Sequence, residues 1–206
     1  MKIKSLVLLL IASVFCLCSF AQDEDAERQN GFLKENMFVG GNIQLQFSNI
    51  YTALGLSPYV GYSLTSWLDV AASLNFSYTS QRDNYVVGDK IRQTVYGPGA
   101  FVRLFPLNFL FAQAHFEQNF IKLKYVPAEN SSYTVEDQKF NAQSFLVGGG
   151  YAGGRSKNSR SFYYFAVLWD VAENKNSPYV DYLGRSVPIF RAGYNVALFE
   201  GRKNRD

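Results

Sequence analysis

From Leu54 to Leu64 every even-numbered residue is apolar (Leu54, Leu56, Pro58, Val60, Tyr62, Leu64), while the odd positions hold Ala53, Gly55, Ser57, Tyr59, Gly61 and Ser63. After Thr65, Ser66 and Trp67 the alternation resumes, with Leu68, Val70, Ala72, Leu74, Phe76 and Tyr78 on one face. Asp69, Ala71, Ser73, Asn75 and Ser77 lie on the other. A period of two sorts side chains to opposite faces of a strand, so this segment predicts two strands sharing one apolar face. Leu64 and Leu68 stay on that face only if an odd number of residues turns the chain, which predicts a three-residue turn. Strands of this length exceed the usual five or six residues of soluble sheets and suffice to cross a bilayer when tilted.

The same pattern recurs along the chain. Further strands are predicted at about 37–48, 92–104, 110–122, 141–151, 162–171 and 188–199, making eight in all. In the sixth, Phe145, Val147 and Tyr151 compete with Leu146 and neighbouring glycines for the outer face. Loops after the third, fifth and seventh strands are long and polar (79–91, 123–139, 172–187), whereas those after the second and fourth are short. That asymmetry fits a membrane barrel with short turns on one side and long loops on the other. The fold class read from these observations is all-β, an eight-stranded antiparallel up-and-down transmembrane β-barrel.

Lys2 and Lys4 precede an apolar run, Leu6 to Phe20, closed by Ser19-Phe20-Ala21. The run is too short to span a membrane as a helix and matches an export signal cleaved after Ala21. The expected layout is a signal peptide over 1–21, a short periplasmic arm over 22–36, the barrel over 37–199 and a periplasmic tail over 200–206. Cys16 and Cys18 leave with the signal, so neither a disulfide nor a thiolate metal site is expected. Removing Lys2 and Lys4 takes the basic count from 20 to 18 against 17 acidic residues, and the formal charge from +3 to +1. Nothing in this balance points to nucleic acid.

Parity along the strands assigns the charges. Asp69 and Arg103 fall near each other on the inner face, as do Asp170 and Arg191, which predicts two interior ion pairs across adjacent strands. His115 and Glu117 share an inner face at i and i+2. With Ser73 or Ser77 across the barrel they form the only acid/base candidate, and an interior hydrogen-bond network is the expected reading. A lone histidine gives no zinc site, and no cofactor is expected. A five-residue turn after Leu104 would set Arg92 opposite Lys122, with Lys124 just beyond, on the lipid side at the outer rim. Like charges directly opposite destabilise a sheet unless an anion is shared, so these three are expected to contact lipopolysaccharide phosphates. Gly149 to Ser156 misses the phosphate-loop pattern, because Arg155 replaces its lysine and a strand follows.

The last strand, Arg191-Ala192-Gly193-Tyr194-Asn195-Val196-Ala197-Leu198, resembles the terminal assembly signal of bacterial outer-membrane barrels, although Phe199 to Asp206 follow it. From Met37 to Phe199 the chain resembles the OmpA/OmpX-type, or "porin-family", eight-stranded barrel domain. That resemblance implies the outer membrane of a Gram-negative bacterium, insertion by the barrel-assembly machinery, and a non-enzymatic structural, membrane-integrity or surface-interaction role. Two other roles occur for barrels of this size, a lipid-modifying enzyme centred here on His115 and a small-solute channel. A lipocalin-type barrel would turn the apolar face inward. The small and polar residues of the opposite face instead suit the crowded interior of an eight-stranded barrel.

Overall fold

The computed structural model describes residues 33–47, 51–83, 85, 87–128, 135–156, 159–172, 174–181 and 184–199. The expected signal peptide, most of the arm and the tail lie outside them. A 3-10 turn, Lys34–Asn36, leads into β1 (Met37–Phe47), β2 (Tyr51–Ser63), β3 (Leu68–Arg82), β4 (Lys90–Leu107), β5 (Leu110–Val126), β6 (Gln138–Gly153), β7 (Phe162–Asp170) and β8 (Ile189–Ala197). Each strand pairs antiparallel with its neighbours in chain order. β1 then pairs with β8, Gly40 opposite Asn195, and closes the barrel. Closure leaves no sheet edge, the condition under which strands can cross hydrocarbon.

Side chains sort by parity as expected. Leu74 on the outer wall of β3 is 65% exposed, whereas Ser73 and Asn75 beside it are buried inside. Leu54, Leu56, Phe76, Val102, Phe116, Phe165 and Phe190 are likewise exposed on the outside. An exposed apolar surface that runs round a closed barrel is far larger than the patches water-soluble monomers tolerate, and it marks the wall as membrane-facing. On β6 the ambiguity resolves in favour of odd positions outward, since Phe145, Val147 and Tyr151 are exposed while Leu146 is fully buried.

β3, β4, β5 and β6 run further toward the long-loop end than hydropathy implied. Thr79–Arg82, Lys90–Ile91, Leu123–Val126 and Gln138–Lys139 belong to the ladders. Beyond the hydrocarbon the outer face turns charged and the alternation fades, yet backbone pairing continues.

The turn after β2 is as expected: Leu64 N donates to Leu68 O at 2.9 Å, leaving Thr65 to Trp67 as the turn. The turn after β4 is not. β4 continues to Leu107, which lies opposite Leu110, so Asn108 and Phe109 form a two-residue turn in place of the expected five. The register also shifts between Leu104 and Leu107, and Leu104 lies opposite Ala112 rather than Leu110. A β-bulge of this kind changes the count across a turn and is invisible to period-two reasoning. Pro58 and Pro98 interrupt one ladder each, and pairing resumes beyond them in the same register.

The interior is tiered. Toward the short turns it is an aromatic core of Phe38, Tyr59, Phe101, Phe105, Phe111, Phe162 and Tyr164, larger than the small residues anticipated there. In the middle lie the buried polar residues Ser73, His115, Glu117, Asn119, Ser144 and Arg191. At the long-loop end the segment after β7 folds inward and buries Ser177 and Tyr179.

Candidate functional site: an interior polar cluster and a basic outer rim

Strand β5 carries His115 and Glu117 two residues apart, which places both in the lumen. Arg191 reaches them from β8. Its Nη2 donates to Glu117 Oε1 at 2.8 Å, and its Nη1 lies 2.9 Å from His115 Nδ1. The second carboxylate oxygen of Glu117 accepts from the Tyr179 hydroxyl at 2.6 Å. Burial first, and next the Glu117 charge, push the Tyr179 phenol well above its ordinary value, so it remains a donor. Glu117 is fully buried and His115 almost so. A buried carboxylate is tolerable only when paired and hydrogen-bonded, and here one charged and one neutral donor supply that.

The arrangement fixes the imidazole. Arginine has donors only, so His115 Nδ1 must accept, and its proton sits on Nε2. Nε2 lies 3.1 Å from Ser73 Oγ and therefore donates to it, while Ser73 passes its own proton toward Asn75 Oδ1 at 3.4 Å. A serine nucleophile needs the opposite tautomer, with Nε2 free to take the hydroxyl proton and a carboxylate on Nδ1–H. Ser73, His115 and Glu117 are together, but wired as a donor chain that does not activate the serine.

The four charges assigned to interior ion pairs are all buried, with partners other than those expected. Asp69 and Arg103 are opposite in register. Even so, Arg103 Nε donates to Gln113 at 2.7 Å, and its guanidinium lies 4.1 Å from the Tyr164 ring centroid and 4.5 Å from that of Phe101. Asp69 has Arg155 at 3.9 Å instead. Asp170 and Arg191 are not opposite at all, since Arg191 pairs with Ala166, four residues down β7. Asp170 accepts from the backbone N–H of Phe145 and of Ala172, each at 3.0 Å, and from Ser177 Oγ, so it anchors the inward-folded segment. The expectation considered neighbouring strands only, whereas a long side chain in so narrow a lumen reaches the far wall. Tyr179, Ser177 and Arg155, which complete these clusters, lie in loops whose sequence carries no period to assign them.

The rim is also corrected. With the bulge included, Arg92 faces Lys124 rather than Lys122. Lys122 faces Lys139 on β6, and Arg82 at the end of β3 faces Lys90. All six cations share the outward parity of the membrane-facing wall, just beyond Tyr78, Tyr96 and Phe120. Three directly opposed cation pairs thus span four adjacent strands, and none of the six has a carboxylate ion-pair partner among the described residues. Lys122 Nζ also stands 5.1 Å from the Tyr96 ring centroid.

Among the described residues no cluster of histidine, cysteine, aspartate or glutamate has the makings of a metal site. No protein-family model and no curated protein matches the sequence. Among solved structures the chain is similar to the Yersinia pestis attachment invasion locus protein Ail, solved with the heparin analogue sucrose octasulfate. Identity is 10%, coverage 77% of this chain and 95% of that one, and the TM-score 0.44. It is also similar to the N-terminal β-barrel domain of Pseudomonas aeruginosa OprF, at 13% identity, 78% and 94% coverage and a TM-score of 0.39. On its own geometry, closed pairing with an apolar exterior and an interior of buried aromatic and polar side chains, the chain is an eight-stranded up-and-down transmembrane β-barrel.

Proposed function

We propose that the protein is a non-catalytic integral barrel of a Gram-negative outer membrane. Its role is structural, in membrane integrity or in surface interaction, and its outer rim contacts lipopolysaccharide phosphates. The observation that carries this reading is the set of opposed cations on β3 to β6, centred on Arg92, Lys122 and Lys124 and extended by Arg82, Lys90 and Lys139. Opposed like charges cost stability, and a shared phosphate turns that cost into charge-assisted hydrogen bonds. Their position just beyond exposed aromatics is the depth at which headgroup phosphates lie. The barrel-assembly machinery is the expected partner during insertion, with β8 as the strand it reads.

Two features argue against the other roles. The His115 tautomer leaves Ser73 unactivated, and the Glu117–Arg191–Tyr179 cluster blocks the lumen where a solute would pass. For the rim, the triple variant Arg92→Ala, Lys122→Ala, Lys124→Ala is expected to keep the compact electrophoretic mobility of a folded barrel. It should lose most of its lipopolysaccharide binding in a pull-down or calorimetric titration. Unchanged binding would reject the rim contact.

A further inference from the structure

The long-loop end of the lumen opens into a cavity of about 330 Å³ between β1 to β4 and the inward-folded segment before β8. That volume is at the lower end of those that hold small molecules. Gln44, Ser77, Thr79 and Gln93 line it, and none of these four side chains makes a hydrogen bond within the described protein. Two primary amides and two hydroxyls therefore offer both donors and acceptors into one space. Fixed charge is almost absent. Asp181, the one carboxylate among the described lining residues, is held by Arg185, with Nε and Nη2 each 2.8 Å from its Oδ2. The opposite wall, which includes Pro178, Val187 and Pro188, is apolar.

A hollow of about 10 Å³ at the base shares Gln44, Ser77 and Tyr179 with this cavity and reaches Asn75 and Arg191. Asn75 Nδ2 and Arg191 Nε are buried donors with no acceptor among the described residues. The hollow is of the size that takes a single oxygen-sized group.

These features exclude most guests. An apolar molecule would strip water from unpaired amides and return no hydrogen bonds. An anion finds no unbalanced cation among the described lining residues, because the charge of Arg191 is neutralised by Glu117 and only its Nε–H stays open. A molecule with hydroxyls on its edge, C–H groups on its face and acceptor oxygens at one end satisfies all of them. We propose that this cavity is a binding site for a neutral saccharide of one or two rings. The amides and hydroxyls of β1, β3 and β4 hold its edge, and one of its oxygens enters the hollow toward Asn75. The site is separate from the rim, whose chemistry is cationic and whose side chains face outward.

The test uses the folded full chain in a detergent without sugar headgroups. It is screened against an array of neutral malto-, cello-, manno- and chito-oligosaccharides with a sulfated set beside them, followed by calorimetry on the hits. A neutral saccharide is expected to bind the parent. The variant Thr79→Val, Gln93→Leu should lose about tenfold in affinity or more, the loss of two hydrogen bonds. Arg92→Ala should bind like the parent. Ser77→Ala, a smaller change, serves if the double variant does not fold, with a measurable loss expected. Failure of every neutral saccharide to bind, equal binding by the folded cavity variants, or binding confined to sulfated sugars and lost in Arg92→Ala would each overturn the assignment.

Discussion

Replacing Arg191 with methionine is expected to lower the unfolding free energy by about 3–5 kcal/mol, because Glu117 is left as a buried carboxylate without its counter-charge. The guanidinium holds Glu117 at 2.8 Å and sets the His115 tautomer, so its removal disturbs two strands and the Tyr179 anchor together. Urea unfolding of the barrel in lipid vesicles, followed by tryptophan fluorescence or by gel mobility without boiling, measures this. The double change Glu117→Gln, Arg191→Met should cost less than the two single changes summed, by about 1–3 kcal/mol, since the groups share one bond. Asp69, whose ion-pair partner is Arg155, shares no partner with Arg191, so Asp69→Asn and Arg191→Met should add within about 0.5 kcal/mol. Additive Glu117 and Arg191 effects, or strong coupling between Asp69 and Arg191, would mean that the lumen is wired differently.

The second large effect is expected at Gly150, an inward-facing position on β6 opposite Ala166 of β7. A Cβ there would overlap the Phe165 carbonyl oxygen and stand 2.6 Å from Phe111 Cζ. Phe111 can rotate, but a carbonyl in the ladder moves only with its strand. Gly150→Ala should therefore cost about 1–3 kcal/mol as an overpacking change, and Gly150→Val should prevent refolding in vesicles. Gly41 is the control, since a Cβ there meets nothing nearer than 3.6 Å, and Gly41→Ala should fall within about 0.5 kcal/mol of the parent. Equal stability of Gly150→Ala and Gly41→Ala would contradict the close approach of β6 to β7.

What could be read from the chain alone follows from which interactions are local. Parity is local, and Leu74 against Ser73 or Phe116 against His115 was assignable to a face without coordinates. Register depends on the count across each turn. The three residues after Leu64 leave little choice, whereas β4 continues to Leu107, only Asn108 and Phe109 turn the chain, and this shorter turn together with the one-residue bulge between Leu104 and Leu107 sets Arg92 opposite Lys124 instead of Lys122. Strand ends were missed where the alternation passed from apolar to charged, as at Thr79–Arg82, because hydropathy reports the surroundings of a strand rather than its backbone pairing. Charge partners were the least legible. Arg191 bonds across the lumen to β5, Asp69 to a turn residue and Glu117 to Tyr179 in a loop, and no sequence spacing encodes such contacts. The faces of His115 and Glu117 were nonetheless correct, which is why the cluster could be anticipated even though its wiring could not.

The apolar exterior of this barrel meets acyl chains. The most direct test is a nitroxide scan, single cysteines introduced from Ala71 to Ser77 in the chain with Cys16 and Cys18 cleaved or replaced by serine, reconstituted in bilayers. Collision with oxygen should rise at 72, 74 and 76 and fall at 71, 73, 75 and 77, a period of two in phase with the exposure of Leu74 and Phe76. Oxygen collision greatest at the odd positions, or without any alternation, would contradict it.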